Sequence, residues 1–344
     1  MDNTADFKKI LERLEHAGIK KVKVAVADMD GVLRGKYLHF DKFTAAAQST
    51  FGFCNVVLGW DSSDVCYDNI KYTGWHSGYP DALVQLAPET ERTVPWDNNV
   101  PFFLGGFVDS NMAPLSICPR QTLKRVIAKA EAMGFTAKNG MEFEWFNFRE
   151  SAKSLHDKGY IRPEPITPGM FGYSLIRAGQ ERDFFNALMD ELTAFGVPIE
   201  GLHTETGPGV YEAAILYSGA LESADRATLF KAGAKDIAAR FGIMPSFMAK
   251  WHKDLPGCSG HMHQSLWTKN GENAFFDAGR TQNKMSATSE KLSRRPVEAI
   301  ARPAAVFCAH REFVQAPGRR LLGTDEADMG HRQPHGFTPR DSRF

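Results

Sequence analysis

The chain has 344 residues, 43% of them hydrophobic and 24% charged, with 41 basic and 41 acidic side chains and a formal net charge of zero. That length supports one large or two moderate domains with a buried core, and the balanced charge argues against a nucleic-acid binder or a chain drawn to an anionic membrane. Five scattered cysteines (Cys54, Cys66, Cys118, Cys258, Cys308) without C-x-x-C spacing exclude a disulfide framework and a structural zinc site.

The opening segment MDNTADFKKILERLEHAG has apolar positions at helical spacing and a glycine stop, so a helix over 6–17 is expected. It does not read as a signal peptide, and no apolar run reaches about 18 residues. The expectation is therefore a cytoplasmic protein with no membrane span. Val22, Val24 and Val26 then alternate with polar or small residues up to Asp30-Gly31, a turn signal, and a second strand follows. Residues 51–108 are rich in aromatics, glycine and proline, with strand-like runs such as NVVLGW and ALVQLA. A helix RQTLKRVIAKAEAMG follows Pro119, and Gly134 suits its end. Beyond it, the helical segments ERDFFNALMDELTAFG and ADRATLFKAGAKDIAARFG alternate with the strand-like runs MEFEWF, GVYEAAI, PSFMAKW and GHMHQSLW. Asn270-Gly271 signals a hairpin turn leading to AFFD. The pattern predicts an α+β architecture: a small β-rich domain over 1–110, an α+β domain over 111–291, and a separate tail over 292–344.

Carboxylates interrupt these strands. Glu142 and Glu144 are two apart and so share a strand face, while Met141, Phe143 and Trp145 take the other. A hard divalent cation such as Mg²⁺ or Mn²⁺ is one reason to hold two carboxylates together; a solvated strand face is the alternative. Glu205 and Glu212 flank a Gly-Pro-Gly turn that lets backbone approach something closely, or that simply turns a hairpin at the surface. His261 and His263 share a face behind the loop Gly257-Cys258-Ser259-Gly260, either as ligands or as two structural histidines.

In this order, the Gly-x-Glu-x-Glu strand, the Glu-x6-Glu segment around Gly-Pro-Gly, and FMAK followed by Gly-x-Ser-Gly-His-x-His-x-Ser-Leu resemble the glutamine synthetase family over about residues 15–291. The resemblance implies a β-grasp-like N-terminal domain, a catalytic α+β domain, and active sites between neighbouring subunits of a ring, commonly a dodecamer. It implies ATP-dependent ligation of ammonia or an amine to the γ-carboxylate of glutamate, with two or more Mg²⁺ or Mn²⁺ ions. By that resemblance Glu144, Glu205 and Glu212 bind one cation, and Glu142 and His261 the second. Gly257 contacts glutamate, His263 steadies the transferring phosphoryl group, and Ser265 sits by the nucleotide. Asp61, in Trp60-Asp61-Ser62-Ser63, would reach a neighbouring subunit's site and handle the ammonium or amine. The sequence departs from the pattern at Val210, where many members have Gln, and at Pro256, where many have Asn. The hairpin DMDGVLRGKYL resembles members that ligate glutamate to larger amines.

After Glu290 the resemblance stops, and a basic, Pro- and Gly-punctuated tail takes over. Advancing the frame by one base takes each new codon's first base from the old second base and its last from the next codon. Suitable codons for residues 309–320 then spell PTVNSYKRLVEG, a segment the family carries next. Met329-Gly330 forces Trp, the following residues allow Gly-Ile-Asp-Asn-Arg-Thr, and residues 292–297 allow YLAGQL. The expectation is a single-base insertion or deletion near codons 288–292. It removes the arginines and the last glutamate ligand that the family places downstream. This chain is therefore expected to have little ligase activity. The other reading is a non-catalytic remnant that keeps metal or nucleotide binding, or that assembles with intact subunits. A generic α+β binding protein would need three motifs to coincide in order.

Overall fold

A computed structural model describes residues 3–279 and 284–292. Residues 293–344, which include nearly all of the proposed out-of-frame tail, lie outside the described residues. The first part is a six-stranded sheet of β1 (Lys21–Ala27), β2 (Leu33–His39), β3 (Phe51–Cys54), β4 (Asp81–Leu86), β5 (Arg92–Val94) and β6 (Val100–Val108). Its order is β2-β1-β6-β4-β3, with β5 on β6 and a parallel pairing between β1 and β6. Gly31, at φ +72°, turns β1 into β2 as the Asp-Gly signal predicts. Helices α1 (Asn3–His16) and α2 (Phe40–Gln48) cover one face, where Phe7, Phe43 and Phe103 pack ring against ring. The run NVVLGW is not a strand. Asn55–Leu58 form a 3-10 turn because the buried Asn55 side chain accepts the Thr73 hydroxyl at 2.6 Å, which draws the chain out of the sheet.

Next come α3 (Pro119–Ala132), β7 (Phe135–Phe148), α4 (Ala152–Asp157), α5 (Leu175–Gln180), α6 (Arg182–Ala194), β8 (Ile199–Thr204), β9 (Val210–Gly219), α7 (Ala220–Ala239), β10 (Met244–Ser246) and β11 (Gly260–Thr268). Long β7 is the spine of a second sheet, order β10-β7-β9-β8, with β11 alongside the first part of β7. Both long helices end as expected, with Gly196 and Gly242 at positive φ. Of PSFMAKW only the beginning is strand, since the Ala249 carbonyl accepts the Cys258 N–H and folds the segment into a loop. The Asn270-Gly271 turn forms, but AFFD is not a strand: among the described residues only single bridges follow, at Asn273 and Phe276.

Residues 1–275 form one compact unit. A core cluster within it takes Ala25, Phe102 and Leu104 from the first sheet and Trp145, Tyr211, Leu229 and Phe230 from the second part. In the unit from residue 276 onward, Phe276 bridges Met285. No helix among the described residues is long and apolar enough to cross a membrane.

Arg120 on α3 grips Asp225 on α7 through two nitrogens at 3.0 Å, and both side chains are only 8% exposed. Burial pushes the Asp225 carboxyl above its usual range, and Arg120 offsets this only in part. Asp225→Ala leaves the guanidinium buried beside the more exposed Glu89 alone, so we expect a loss of about 3–5 kcal/mol in urea unfolding.

A carboxylate and imidazole centre on the second sheet

On β7, Trp145 is fully buried, and Met141 and Phe143 pack against the same core. The alternation of the strand then sends Glu142 and Glu144 to the opposite face, as the spacing predicts. Register does the rest. Glu144 pairs with Glu212 on β9, and Glu212 pairs with His203 on β8. Glu142 pairs with His261 on β11, and His263 follows opposite Gly140. A row of donors thus runs across three strands, with a second row beside it.

The imidazoles lean along β11 to the neighbouring carboxylate. His261 Nε2 is 3.2 Å from Glu144 Oε1 and 3.9 Å from Glu212 Oε1, and His263 Nε2 is 3.2 Å from Glu142 Oε1. On the other side, His203 Nε2 lies 3.6 Å from Glu212 Oε2, and its Nδ1 lies 3.8 Å from Glu205 Oε2. Among the described residues, ligand atoms within 4.8 Å of one another form two triads, Glu142–Glu212–His261 and His203–Glu205–Glu212. Both contain Glu212. This grouping differs from the one the family resemblance implies, in which Glu144 joins Glu205 and Glu212. Here Ser259 engages Glu144: its hydroxyl donates to Oε1 at 2.5 Å and its N–H to Oε2 at 3.1 Å.

The charges are not equivalent. Burial raises the Glu144 carboxyl, but the two Ser259 hydrogen bonds and His261 outweigh it and hold the group below its usual range. Glu212 goes the other way: burial and repulsion from Glu144 push it up, and His203 offsets only part. Burial and the glutamates also push the Cys258 thiol up, so it is no thiolate nucleophile. Oxygen donors with one imidazole per triad suit Mn²⁺ or Mg²⁺, so the donor set fits the cations the resemblance implies.

Glycines carry the local geometry. Gly209, at φ +69°, lies so close to β7 that a Cβ would sit 2.5 Å from the Asn147 carbonyl oxygen. Buried Asn147 donates from its backbone and side chain to the Gly209 carbonyl, and Trp145 donates to Asn147. The close approach expected of Gly-Pro-Gly is real, and its partner is β7 itself. We expect Gly209→Ala to cost about 1–2 kcal/mol from the backbone conformation alone. The clash adds to that. Thermal unfolding reads the loss, and weaker Mn²⁺ binding should accompany it because this turn carries Glu205 and Glu212. A Cβ on Gly257 would sit 2.6 Å from the Ala249 carbonyl oxygen, so its lack of a side chain is required to seat the Ser259 loop.

The remaining candidates fall outside the triads. Ser265 shares the face of His261 and His263 by alternation and accepts the Trp267 indole N–H at 2.9 Å. Asp61 lies on the loop after β3, where its carboxylate accepts the N–H groups of Ser63 and Val65. Val210 is buried with Phe146 and Phe148, so the departure from Gln places an apolar side chain in the core. Sequence reasoning missed His203, Ser259 and Asn147. His203-x-Glu205 repeats the two-residue spacing of Glu142-x-Glu144 and was a usable signal; Ser259 and Asn147 act through partners over 60 residues away, which no local pattern reveals.

A family model described as the glutamine synthetase catalytic domain matches residues 116–293. The chain is 55% identical over 269 residues to a type-1 glutamine synthetase of Dictyostelium discoideum, covering 78% of this chain and 51% of that protein. It is 32% identical over 266 residues to a glutamate–isopropylamine ligase of a Pseudomonas species, covering 77% and 58%. Among solved structures, one named as an ADP complex of GmaS superposes with a TM-score of 0.74 at 23% identity, over 91% of this chain and 67% of that one. The glutamine synthetase of Plasmodium falciparum gives 0.72 at 18% identity, over 89% and 62%. The chain spans a little over half the length of these curated relatives.

Proposed function

Because this chain belongs to the glutamine synthetase family, we propose that its carboxylate and imidazole centre serves ATP-dependent ligation of ammonia or an amine to the γ-carboxylate of glutamate. The observation that carries this reading is the convergence of Glu142, Glu144, Glu205 and Glu212 with His261 on one sheet face. In the reaction, a γ-carboxylate oxygen attacks the γ-phosphorus of ATP and ADP leaves. The amine nitrogen then attacks the acyl carbon, loses a proton, and phosphate departs. Divalent cations held by these glutamates and His261 would neutralise the phosphate oxygens during transfer. The residues themselves supply position and charge, with no protein nucleophile.

Glu144, fixed by Ser259, is the most rigidly oriented carboxylate. His263, exposed beside Glu142, would donate to a phosphoryl oxygen. Gly257 sets the loop that would meet glutamate, and Ser265, on the same strand face, would lie toward the nucleotide. Asp61 would act in a neighbouring subunit's site within a ring, commonly a dodecamer. Relatives named as a glutamate–isopropylamine ligase and a γ-glutamylethanolamide synthetase support an amine as well as ammonia as acceptor.

The test is amine-dependent phosphate release from ATP and glutamate, measured on the 344-residue chain and on the product of the gene returned to the family's frame. Release by the frame-returned protein with ammonia or an alkylamine supports the reading; none with any amine sinks it. The non-catalytic alternative applies to the chain as written, and is favoured if that chain binds Mn²⁺ and ATP without turnover.

A further inference from the structure

Between the β1–β2 hairpin and helix α7 lies a cavity of about 240 Å³. Trp145 and Phe230 pack together between β7 and α7, while Glu142 and Glu144 take the opposite face of β7. The cavity is therefore separate from the carboxylate and imidazole centre. Its floor is apolar and buried, made by Ala25, Val94, Phe102 and Phe195. Phe195 meets the rings of Phe102 and Trp96 edge to face, with centroids 5.5 and 4.9 Å away, and this gives the cavity an aromatic wall.

Small residues keep the space open. On the hairpin, Gly35 pairs with Ala25, next to the Lys23–Tyr37 pair. On α7, Gly233 sits in mid-helix, where glycine is unfavourable. A Cβ there would lie 2.7 Å from Leu192 and 3.0 Å from Trp96, so its absence is what seats the indole at the cavity wall.

Charge at the rim is uneven. Lys23 is matched: its Nζ lies 2.8 Å from Asp97 Oδ2, to which the Tyr37 hydroxyl also donates at 2.5 Å. Lys36 turns its ammonium to the Gly52 carbonyl at 2.9 Å, and Lys21 lies over the Tyr37 ring without lining the cavity. Asp236, exposed on α7, receives the Trp96 indole N–H on Oδ2 at 3.1 Å. Among the described residues no Lys, Arg or His side chain pairs with Asp236. The rim thus presents one uncompensated carboxylate, held by the indole that also walls the apolar floor.

We propose that this cavity binds a small organic cation, with an apolar body against Phe102 and Phe195 and a primary ammonium at Asp236. An apolar cavity of about 150 Å³ holds benzene, so this larger one admits a ring with a short arm. An anion in the same place would face Asp236, and Lys23 is already committed to Asp97. The site stands apart from the ligase chemistry and does not rest on it.

The test uses the full chain labelled with fluorotryptophan and follows its six indole signals by fluorine NMR. The probes are benzylammonium, benzyl alcohol and benzoate, and Trp96→Phe assigns the Trp96 signal. Benzylammonium should move that signal with a Kd at least about threefold below that of benzyl alcohol, the size of an exposed ion pair. Benzoate should bind more weakly than the alcohol. In Asp236→Asn the ammonium and the alcohol should bind equally; asparagine keeps an oxygen for the Trp96 N–H, so the wall is retained. Ala232→Leu, which fills the cavity from α7, should abolish the shift for every probe.

Equal affinity for the alcohol and the ammonium in the unaltered protein would overturn the proposal, as would an ammonium preference that survives Asp236→Asn. Tighter binding of benzoate, shifts confined to other indoles, or no shift with any probe would do the same. Should Ala232→Leu not fold, Asp236→Asn decides, because Asp236 lies on the surface.

Discussion

Glu212→Gln should weaken Mn²⁺ binding by at least about a hundredfold, the largest change expected from one atom-for-atom replacement in this protein. Even residues behind a metal ligand cost about 10–100-fold in affinity when mutated. Glu212 lies in both ligand triads, and its two oxygens face different imidazoles, so both triads lose a charge together. Glutamine keeps the shape, which leaves packing intact.

The sign of the stability change separates this from a folding defect. Burial and Glu144 push the Glu212 carboxyl above its usual range, which marks an ionised Glu212 as a source of strain in the cation-free protein. Removing that charge should leave the cation-free Tm unchanged or higher, while the rise in Tm on adding Mn²⁺ disappears. Glu144→Gln should also weaken Mn²⁺ binding. It differs in lowering the cation-free Tm, because Ser259 and His261 hold that carboxylate in its charged form. Mn²⁺ titrations followed by differential scanning fluorimetry report both quantities. Unchanged Mn²⁺ binding in both variants would return these glutamates to the status of a solvated strand face.

The second large effect concerns the reading frame. Adding or removing one base near codons 288–292, so that the gene reads PTVNSYKRLVEG and then Asn-Arg-Thr, should raise amine-dependent phosphate release by at least about a hundredfold. One preorganised donor to transition-state charge is worth about 10²–10³-fold, and the restored segment contributes arginines of that kind. The chain as written should stay at background. Sequencing the gene through those codons and on to the stop codon is the companion measurement. Phosphate release by the present chain at more than a few per cent of the frame-returned protein would sink the expectation, as would a neighbouring frame without the family segments.

Some of this could be read along the chain because the physics is local. Helix stops at Gly134, Gly196 and Gly242, the Asp30-Gly31 hairpin, and the opposite faces of Glu142 and Trp145 each follow from residues within one turn or one strand. The 3-10 turn at Asn55–Leu58 was not legible, because it depends on a hydrogen bond to Thr73 and not on the apolar run NVVL. The short β10 was not legible either, since Ala249 commits its carbonyl to Cys258 across an intervening loop. Ser259 and His203 stood beside recognised motifs, yet nothing in their own spacing says which carboxylate each meets.

By itself, then, the amino-acid sequence determined which side chains lie on a common strand face, where helices end, and which ordered motifs tie the chain to its family. Alternation and turn chemistry act over a few residues and need no knowledge of neighbours. Only the tertiary structure decided that Glu144, Glu212 and His203 fall in one row, that Glu212 stands between two imidazoles, and that Ser259 takes up Glu144. Those are consequences of strand register. Register is set by Gly209 closing on Asn147 and by a core built from both ends of the compact unit, none of it readable from any single segment.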